Sequence, residues 1–328
     1  MDIFNRLNYK LTIKLTTLLL LPGLFFISTI NAEEIDWKTV DATEVMTFYP
    51  GVASWDYLQD ERHGTGGNPV KEGKKSCAKC HVNKKGEYDI AADRIISGDL
   101  TVPNSEALLE PTPRAGMEGY LTLNAQAAFD AENIYIKLSW PSAGTSFTDA
   151  AVAEEGLADR VSIQFADDQI KNFADYGCYI TCHSDLKDMP DNKGEDKKLY
   201  AEFSIKNDKP LPQKMLDLYL KKNRVIDQWV ASFHGSKVVS DDEYILDSRI
   251  EDKNDLEASG SYANGEYSVI FKRKLNTGET GDIALKAGDT VHMSIAIHEA
   301  KADSRKHYTS FPLSLGLGST ADLAAKKL

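Results

Sequence analysis

Ala127-Ala128-Phe129-Asp130-Ala131-Glu132-Asn133-Ile134-Tyr135-Ile136-Lys137-Leu138-Ser139-Trp140 decides the fold class. Asp130 to Asn133 is a turn between two extended runs. The second run alternates in polarity and is rich in β-branched and aromatic residues, the signature of a strand with one face buried. Tyr120 to Leu123 extends the pattern upstream, and Arg160 to Phe165 alternates downstream. Further strand candidates are Leu216 to Leu220, Tyr244 to Asp247, Tyr267 to Lys272, Val291 to Ile297 and Tyr308 to Leu313. Asn264-Gly265 is a strong hairpin signal because both residues tolerate positive φ. Strands at this spacing, with few long helical patterns, indicate a mainly β protein built on an antiparallel β-sandwich over residues 99–328.

Residues 33–98 read differently. Thr47-Phe48-Tyr49-Pro50-Gly51 is expected to form a turn, and Val52 to Arg62 a short helix with Val52, Trp55 and Leu58 on one face. A glycine- and lysine-rich loop, His63 to Lys75, follows. Such a segment buries little surface alone and is expected to be a small, mostly irregular and helical unit folded around a cofactor.

The cofactor is suggested by the cysteines. All 4 lie in two clusters, each ending in Cys-His. Cys77-Ala78-Lys79-Cys80-His81 reads as a c-type haem attachment site, with two thiols for the vinyl groups and a histidine for the iron. Cys178-Tyr179-Ile180-Thr181-Cys182-His183 has one more residue between its cysteines, a rarer spacing that suits the same chemistry if the turn bulges. A zinc site would have to recruit cysteines about a hundred residues apart and leave both histidines spare. Disulfides have no use for the histidines either. The expectation is two haem c groups, held by Cys77, Cys80, Cys178 and Cys182, with His81 and His183 as proximal ligands.

For the sixth ligand of the first haem, His63 is favoured, since it ends the short helix just before Gly64-Thr65-Gly66-Gly67; Met46 is the weaker choice. For the second, His307 before the late strand Tyr308 to Leu313 is favoured. His298 at the end of the strand Val291 to Ile297 is the weaker alternative, and Met189 the weakest. His292 and His234 read as sheet-surface residues, and Trp140 and Trp229 as core.

The N-terminus reads as an export signal over residues 1–32. Lys10 and Lys14 precede an apolar run from Leu15 to Ile30, and Ala32 offers a cleavage site. The run is shorter than the ~20 residues a spanning helix needs, so no stable membrane span is expected after cleavage. The net charge is −12. An acidic surface argues against nucleic acid and suits docking to a basic redox partner.

At these residues the chain resembles the ethylbenzene dehydrogenase/DMSO reductase-type haem-binding domain family. Gly177 to Pro190 looks like the haem loop of its c-type members, Ala128 to Ile136 like its first hairpin, and His307-Tyr308-Thr309-Ser310-Phe311 like its closing strand. The resemblance covers residues 105–320 and implies a β-sandwich holding one haem, often as the electron-transfer subunit of a periplasmic molybdenum enzyme. The b-haem members ligate iron with Met and Lys. Cys178, Cys182 and His183 depart from that pattern and imply covalent haem, while His307, beside Lys306, stands where the family places its lysine. The Cys77 segment lies outside that domain as an added mono-haem module.

The resulting expectation is a periplasmic dihaem c-type cytochrome that transfers single electrons and breaks no substrate bond. Its partners would be redox proteins such as a molybdenum enzyme or a membrane quinol-linked cytochrome. The alternatives are the haem-bearing gamma-type subunit of a molybdenum oxidoreductase, and a dihaem reductase or peroxidase, for which the sequence offers no distal acid–base pair.

Overall fold

The computed structural model describes residues 35–51, 53–100, 114, 116–186, 189, 200–207, 209–253, 255–299 and 306–328. The expected signal segment, Val52, and the charged stretch Asp191 to Lys198 lie outside them. Fifteen strands are described: β1 (Thr43–Phe48), β2 (Tyr120–Phe129), β3 (Asn133–Pro141), β4 (Arg160–Ala166), β5 (Ile205–Lys206), β6 (Lys209–Pro210), β7 (Ile226–His234), β8 (Lys237–Ile245), β9 (Arg249–Glu251), β10 (Glu257–Ala263), β11 (Glu266–Lys274), β12 (Thr290–His298), β13 (Tyr308–Ser310), β14 (Leu313–Leu317) and β15 (Leu323–Lys327). All but the β5–β6 hairpin join one hydrogen-bonded system, in the order β10-β11-β3-β2-β1-β13-β12-β4-β7-β8-β9, with β14 and β15 bridging β12 back to β2. Pairing is antiparallel except where β15 meets β14 and β2.

The sheet folds over on itself into a sandwich because its strands alternate. In β3, Ile134, Ile136, Leu138 and Trp140 enter the main core; in β11, Tyr267, Val269 and Phe271 do so. Val161, Ile163 and Phe165 of β4, Trp229, Ala231 and Phe233 of β7, and Met293, Ile295 and Ile297 of β12 face them from the other layer. The period of two puts every second side chain on one face. Asn264 and Gly265 take φ of 54° and 81°, the left-handed values a two-residue hairpin between β10 and β11 demands.

The inward row of β11 ends in a charge. Arg273 follows Tyr267, Val269 and Phe271 on the same face and is 2% exposed. Its guanidinium lies 4.7 Å above the Trp229 ring. It bonds Asp227 through Nη2 (2.6 Å) and Nη1 (3.1 Å), and Asp282 through Nη1 (3.0 Å). Asp242 on β8 is 3.4 Å away.

A second apolar cluster lies outside the sandwich, where the segments bearing the cysteines pack on the sheet. It joins Phe48 at the end of β1, Phe311 after β13, and Trp55, Tyr176, Tyr179 and Ile180.

Three local expectations change. Thr47 and Phe48 belong to a strand, not a turn, and β1 pairs along its whole length with β2. Chain from the expected N-terminal segment therefore lies within the sheet, between β2 and β13. Leu216 to Leu220 is not a strand but part of a helix, Gln213–Lys221, which starts after Pro212 and buries Leu216. Leu216, Leu218 and Leu220 mimic a period of two, yet Leu218 is 40% exposed. The late strand candidate Tyr308 to Leu313 is two strands, β13 and β14, interrupted at Phe311-Pro312.

Candidate functional site

Cys77-Ala78-Lys79-Cys80-His81 forms one helical turn, Cys77–His81. The turn places Cys77 inward against the outer cluster, leaves Cys80 exposed, and tilts His81 towards a cleft. The cleft has a volume of about 950 Å³ including its open mouth and is walled mainly by apolar side chains, among them Phe48, Tyr57, Val70, Ile90, Tyr176 and Phe311. Cys77, Cys80, His81 and His63 all line it.

His63 reaches the cleft by a different route from the one its sequence suggests. The helix Trp55–Leu58 ends early, and a 3₁₀ turn, Glu61–Gly66, carries His63. Asp60 caps this turn, accepting from the Arg62 amide at 2.9 Å and from Arg62 Nε at 2.7 Å. Glycines here serve close packing rather than looseness. A Cβ on Gly66 would sit 2.8 Å from the His63 ring, and one on Gly67 would overlap the Asp60 carbonyl.

The rings of His63 and His81 lie with centroids 6.1 Å apart and planes 14° from parallel. That is too far for van der Waals stacking. A metal bound at ~2 Å by a nitrogen of each ring would hold the centroids roughly 6 Å apart. His63 Nδ1 lies 2.8 Å from the Leu58 carbonyl oxygen, and His81 Nδ1 lies 2.9 Å from that of Asp89. Each carbonyl fixes its ring as the Nδ1–H tautomer and leaves Nε2 as the ligating atom. Burial holds His63 below the usual histidine range, so it stands neutral, as a ligand must. Met46 sits on β1 and does not line the cleft.

The residues therefore fit a haem at the first site. Two thiols line the cleft, the His63 and His81 imidazoles lie a metal-width gap apart, and the remaining walls are mainly apolar.

The second motif is built differently. Phe173–Tyr176 is a short helix, and Gly177 to Thr181 continue as a 3₁₀ turn. Cys178 Sγ lies 3.2 Å from Thr309 Oγ1 on β13. Cys182 donates to the Ala53 carbonyl at 3.7 Å and packs with Leu186 and Met189. His183 is 3% exposed, with its ring centroid 4.1 Å from that of Tyr200. The rings of His298 and His307 stack at 4.5 Å, 18° from parallel. They follow the pair Ile297↔Tyr308 in register. They thus share the outer face with Thr309, which touches Cys178, and with Ser294, which underlies Gly177. Arg114 donates to the Glu299 and Lys306 carbonyls, clamping the two strands just beyond this pair. His292 bonds exposed Asp168 at 3.0 Å, and His234 is exposed at the end of β7.

The two motifs adjoin. Tyr179, from the turn bearing Cys178, and Tyr176, from the helix just before it, form part of the first cleft. Tyr176 Oη donates to the Lys75 carbonyl at 2.8 Å, and the Trp55 amide donates to the Cys182 carbonyl. Burial, with the Cys178 thiol nearby, pushes the Cys77 thiol up to about 12. Sequence reasoning missed this adjacency, since about a hundred residues separate the motifs. It also missed Leu58 and Asp89, whose backbone carbonyls orient the rings and carry no side-chain signature.

A family model described as ethylbenzene dehydrogenase matches residues 34–254 and 191–310. Cytochrome c-552 of Stutzerimonas stutzeri is 27% identical over 299 residues, covering 90% of this chain and 92% of that protein. Cytochrome c-551 of Rhodocyclus tenuis is 23% identical over 283 residues, covering 86% and 95%. Among solved structures, a family 9 carbohydrate-binding module from Caldicellulosiruptor kristjanssonii in complex with glucose is similar at a TM-score of 0.28. It has 9% identity and covers 58% of this chain and 65% of that one.

Proposed function

Because this chain belongs to the ethylbenzene dehydrogenase family, we propose that it is an exported, periplasmic c-type cytochrome carrying two covalent haems and passing single electrons between redox proteins. The observation that carries this reading is the pair His63 and His81, 6.1 Å apart in a cleft that also holds Cys77 and Cys80. The two relatives are named as cytochromes c and match along most of their length, which supports the same reading.

At the first site Cys77 and Cys80 would anchor the haem, with His81 and His63 on its iron. When bound, the group supplies one-electron exchange. The chain's residues set the conditions. The Leu58 and Asp89 carbonyls orient both imidazoles and raise their basicity. Phe48, Tyr57, Tyr176 and Phe311 exclude water. His63 and His81 as the two ligands, with no methionine, would keep the potential of a bound haem on the lower side.

At the second site Cys178 and Cys182 would anchor the haem and His183 would be its proximal ligand. His307 is the sixth ligand we assign, with His298 stacked against it. The shared wall of Tyr176 and Tyr179 would make the two centres neighbours, so an electron arriving at one has a short path to the other.

Intact mass and the pyridine haemochrome of the exported protein test this. Wild type should carry two haems. Cys77→Ala/Cys80→Ala and Cys178→Ala/Cys182→Ala should each carry one, with about half the haem absorbance. A wild-type chain with no haem, or with one that survives both double substitutions, would overturn the proposal.

A further inference from the structure

Lys71, Lys74, Lys75, Lys79, Lys84 and Lys85 fall within a single short stretch around the first Cys-His motif, and all six are exposed. The acidic residues among them and just beyond are Glu72, Glu87 and Asp89. Lys74 pairs with Glu72 at 2.7 Å, but these side chains are 70% and 54% exposed, so solvent screens the pair. This concentration of positive charge stands in a chain whose net charge is −12.

Its position gives it meaning. Cys80 is exposed and lines the cleft, and Lys75 lines the same cleft. Lys79 sits between the two cysteines, and Lys84 and Lys85 lie on the turn closed by the bridge between Val82 and Tyr88. The lysines therefore ring the side where the first motif meets solvent. Among the described residues the second motif offers no such surface: Ile180, Thr181 and His183 are buried, and Asp175 and Asp185 flank it.

We propose that this lysine rim is the docking face for an acidic redox protein, and that electrons enter or leave the molecule there through the first haem. The inference rests on the functional reading above, in that the first motif must carry haem. The chain's total charge alone suggests a basic partner, but the total is the wrong guide at contact. Exposed charges further away than the Debye length, ~8 Å at physiological salt, are largely screened, and the patch at the contact governs orientation.

The test is stopped-flow electron transfer between the haem-loaded protein and reduced flavodoxin, a small acidic donor, over a range of ionic strength. The wild-type rate should fall as salt rises. Lys79→Glu/Lys84→Glu/Lys85→Glu should lower the low-salt rate roughly tenfold or more and flatten its salt dependence. Lys79→Gln/Lys84→Gln/Lys85→Gln should lie between. Glu132→Lys/Glu266→Lys, at exposed turns of the sandwich, should change the rate less than about twofold. Mass and visible spectrum are read on every variant, so loss of haem, which would count against the functional reading, is told apart from loss of docking. A wild-type rate that rises with salt, or a triple Glu variant that keeps its haems and its rate, overturns the docking face.

Discussion

If the proposed two haems are bound, His63→Ala should convert one iron from low-spin to high-spin, remove about half of the low-spin ferric signal, and leave the other haem untouched. The expectation follows from how His63 is held. Its turn is capped by Asp60, its Nδ1 is committed to the Leu58 carbonyl, and Gly66 packs beneath its ring. No other described imidazole lines the cleft with His81. Removing the side chain leaves a walled space opposite His81, and added imidazole should fill it and restore the low-spin spectrum. His63→Met should keep the iron low-spin and raise its potential, because a thioether opposite histidine favours the reduced state. Low-temperature EPR and optical spectra of the three proteins check this. An unchanged spin state in His63→Ala would show that the two rings are only packing partners.

Arg273→Met should destabilise the sandwich by about 3–5 kcal/mol, the cost of stranding buried carboxylates without their counter-charge. In a protein of this size that corresponds to a fall in Tm on the order of 10 °C. The guanidinium is the cation held among Asp227, Asp242 and Asp282, all of them buried, with separations of 2.6 to 3.4 Å. Three carboxylates on one guanidinium leave excess negative charge. Burial, reinforced by the neighbouring carboxylates, pushes Asp242 up to about 8 and Asp282 up to about 6. A raised carboxyl favours the folded state when protonated, so its contribution is full below about pH 4 and is lost as pH rises through 8. Wild-type stability should therefore decline between about pH 5 and pH 8. Asp242→Asn, which mimics the protonated carboxyl, should flatten the decline and be the more stable protein at pH 8. Thermal denaturation across that pH range checks both substitutions; an Arg273→Met protein as stable as wild type would mean the carboxylates find water or protons at no cost.

The sandwich was legible because its strands are long and their alternation survives at both layers. Ile134 to Trp140, Tyr267 to Lys272 and Val291 to Ile297 fall within β3, β11 and β12, and the Asn264-Gly265 turn lies where its φ preference puts it. Short apolar runs were not legible. Met215 to Leu220 suits either period, and only the surroundings, a preceding Pro212 and one buried leucine, settle it as a helix. β1 was missed because Tyr49-Pro50-Gly51 dominates the local signal, while its pairing partners β2 and β13 lie far along the chain. The Arg273 cluster was hidden for the same reason. Lys272-Arg273-Lys274 reads as a solvated run, and only strand register turns the middle residue inward.

At the site, local order decided what could be read. His63 and His81 belong to one short stretch, so proximity in sequence carried over into space. The second site depends on a loop that brings residues 177–183 against strands more than a hundred residues later, and there the stacking of His307 on His298 could not be foreseen.

An optical redox titration of the haem-loaded protein, with EPR at each potential, tests the central claim most directly. The account requires two separate one-electron transitions, with both ferric irons low-spin at the start. A single transition, or a high-spin iron that reacts with peroxide, would contradict it.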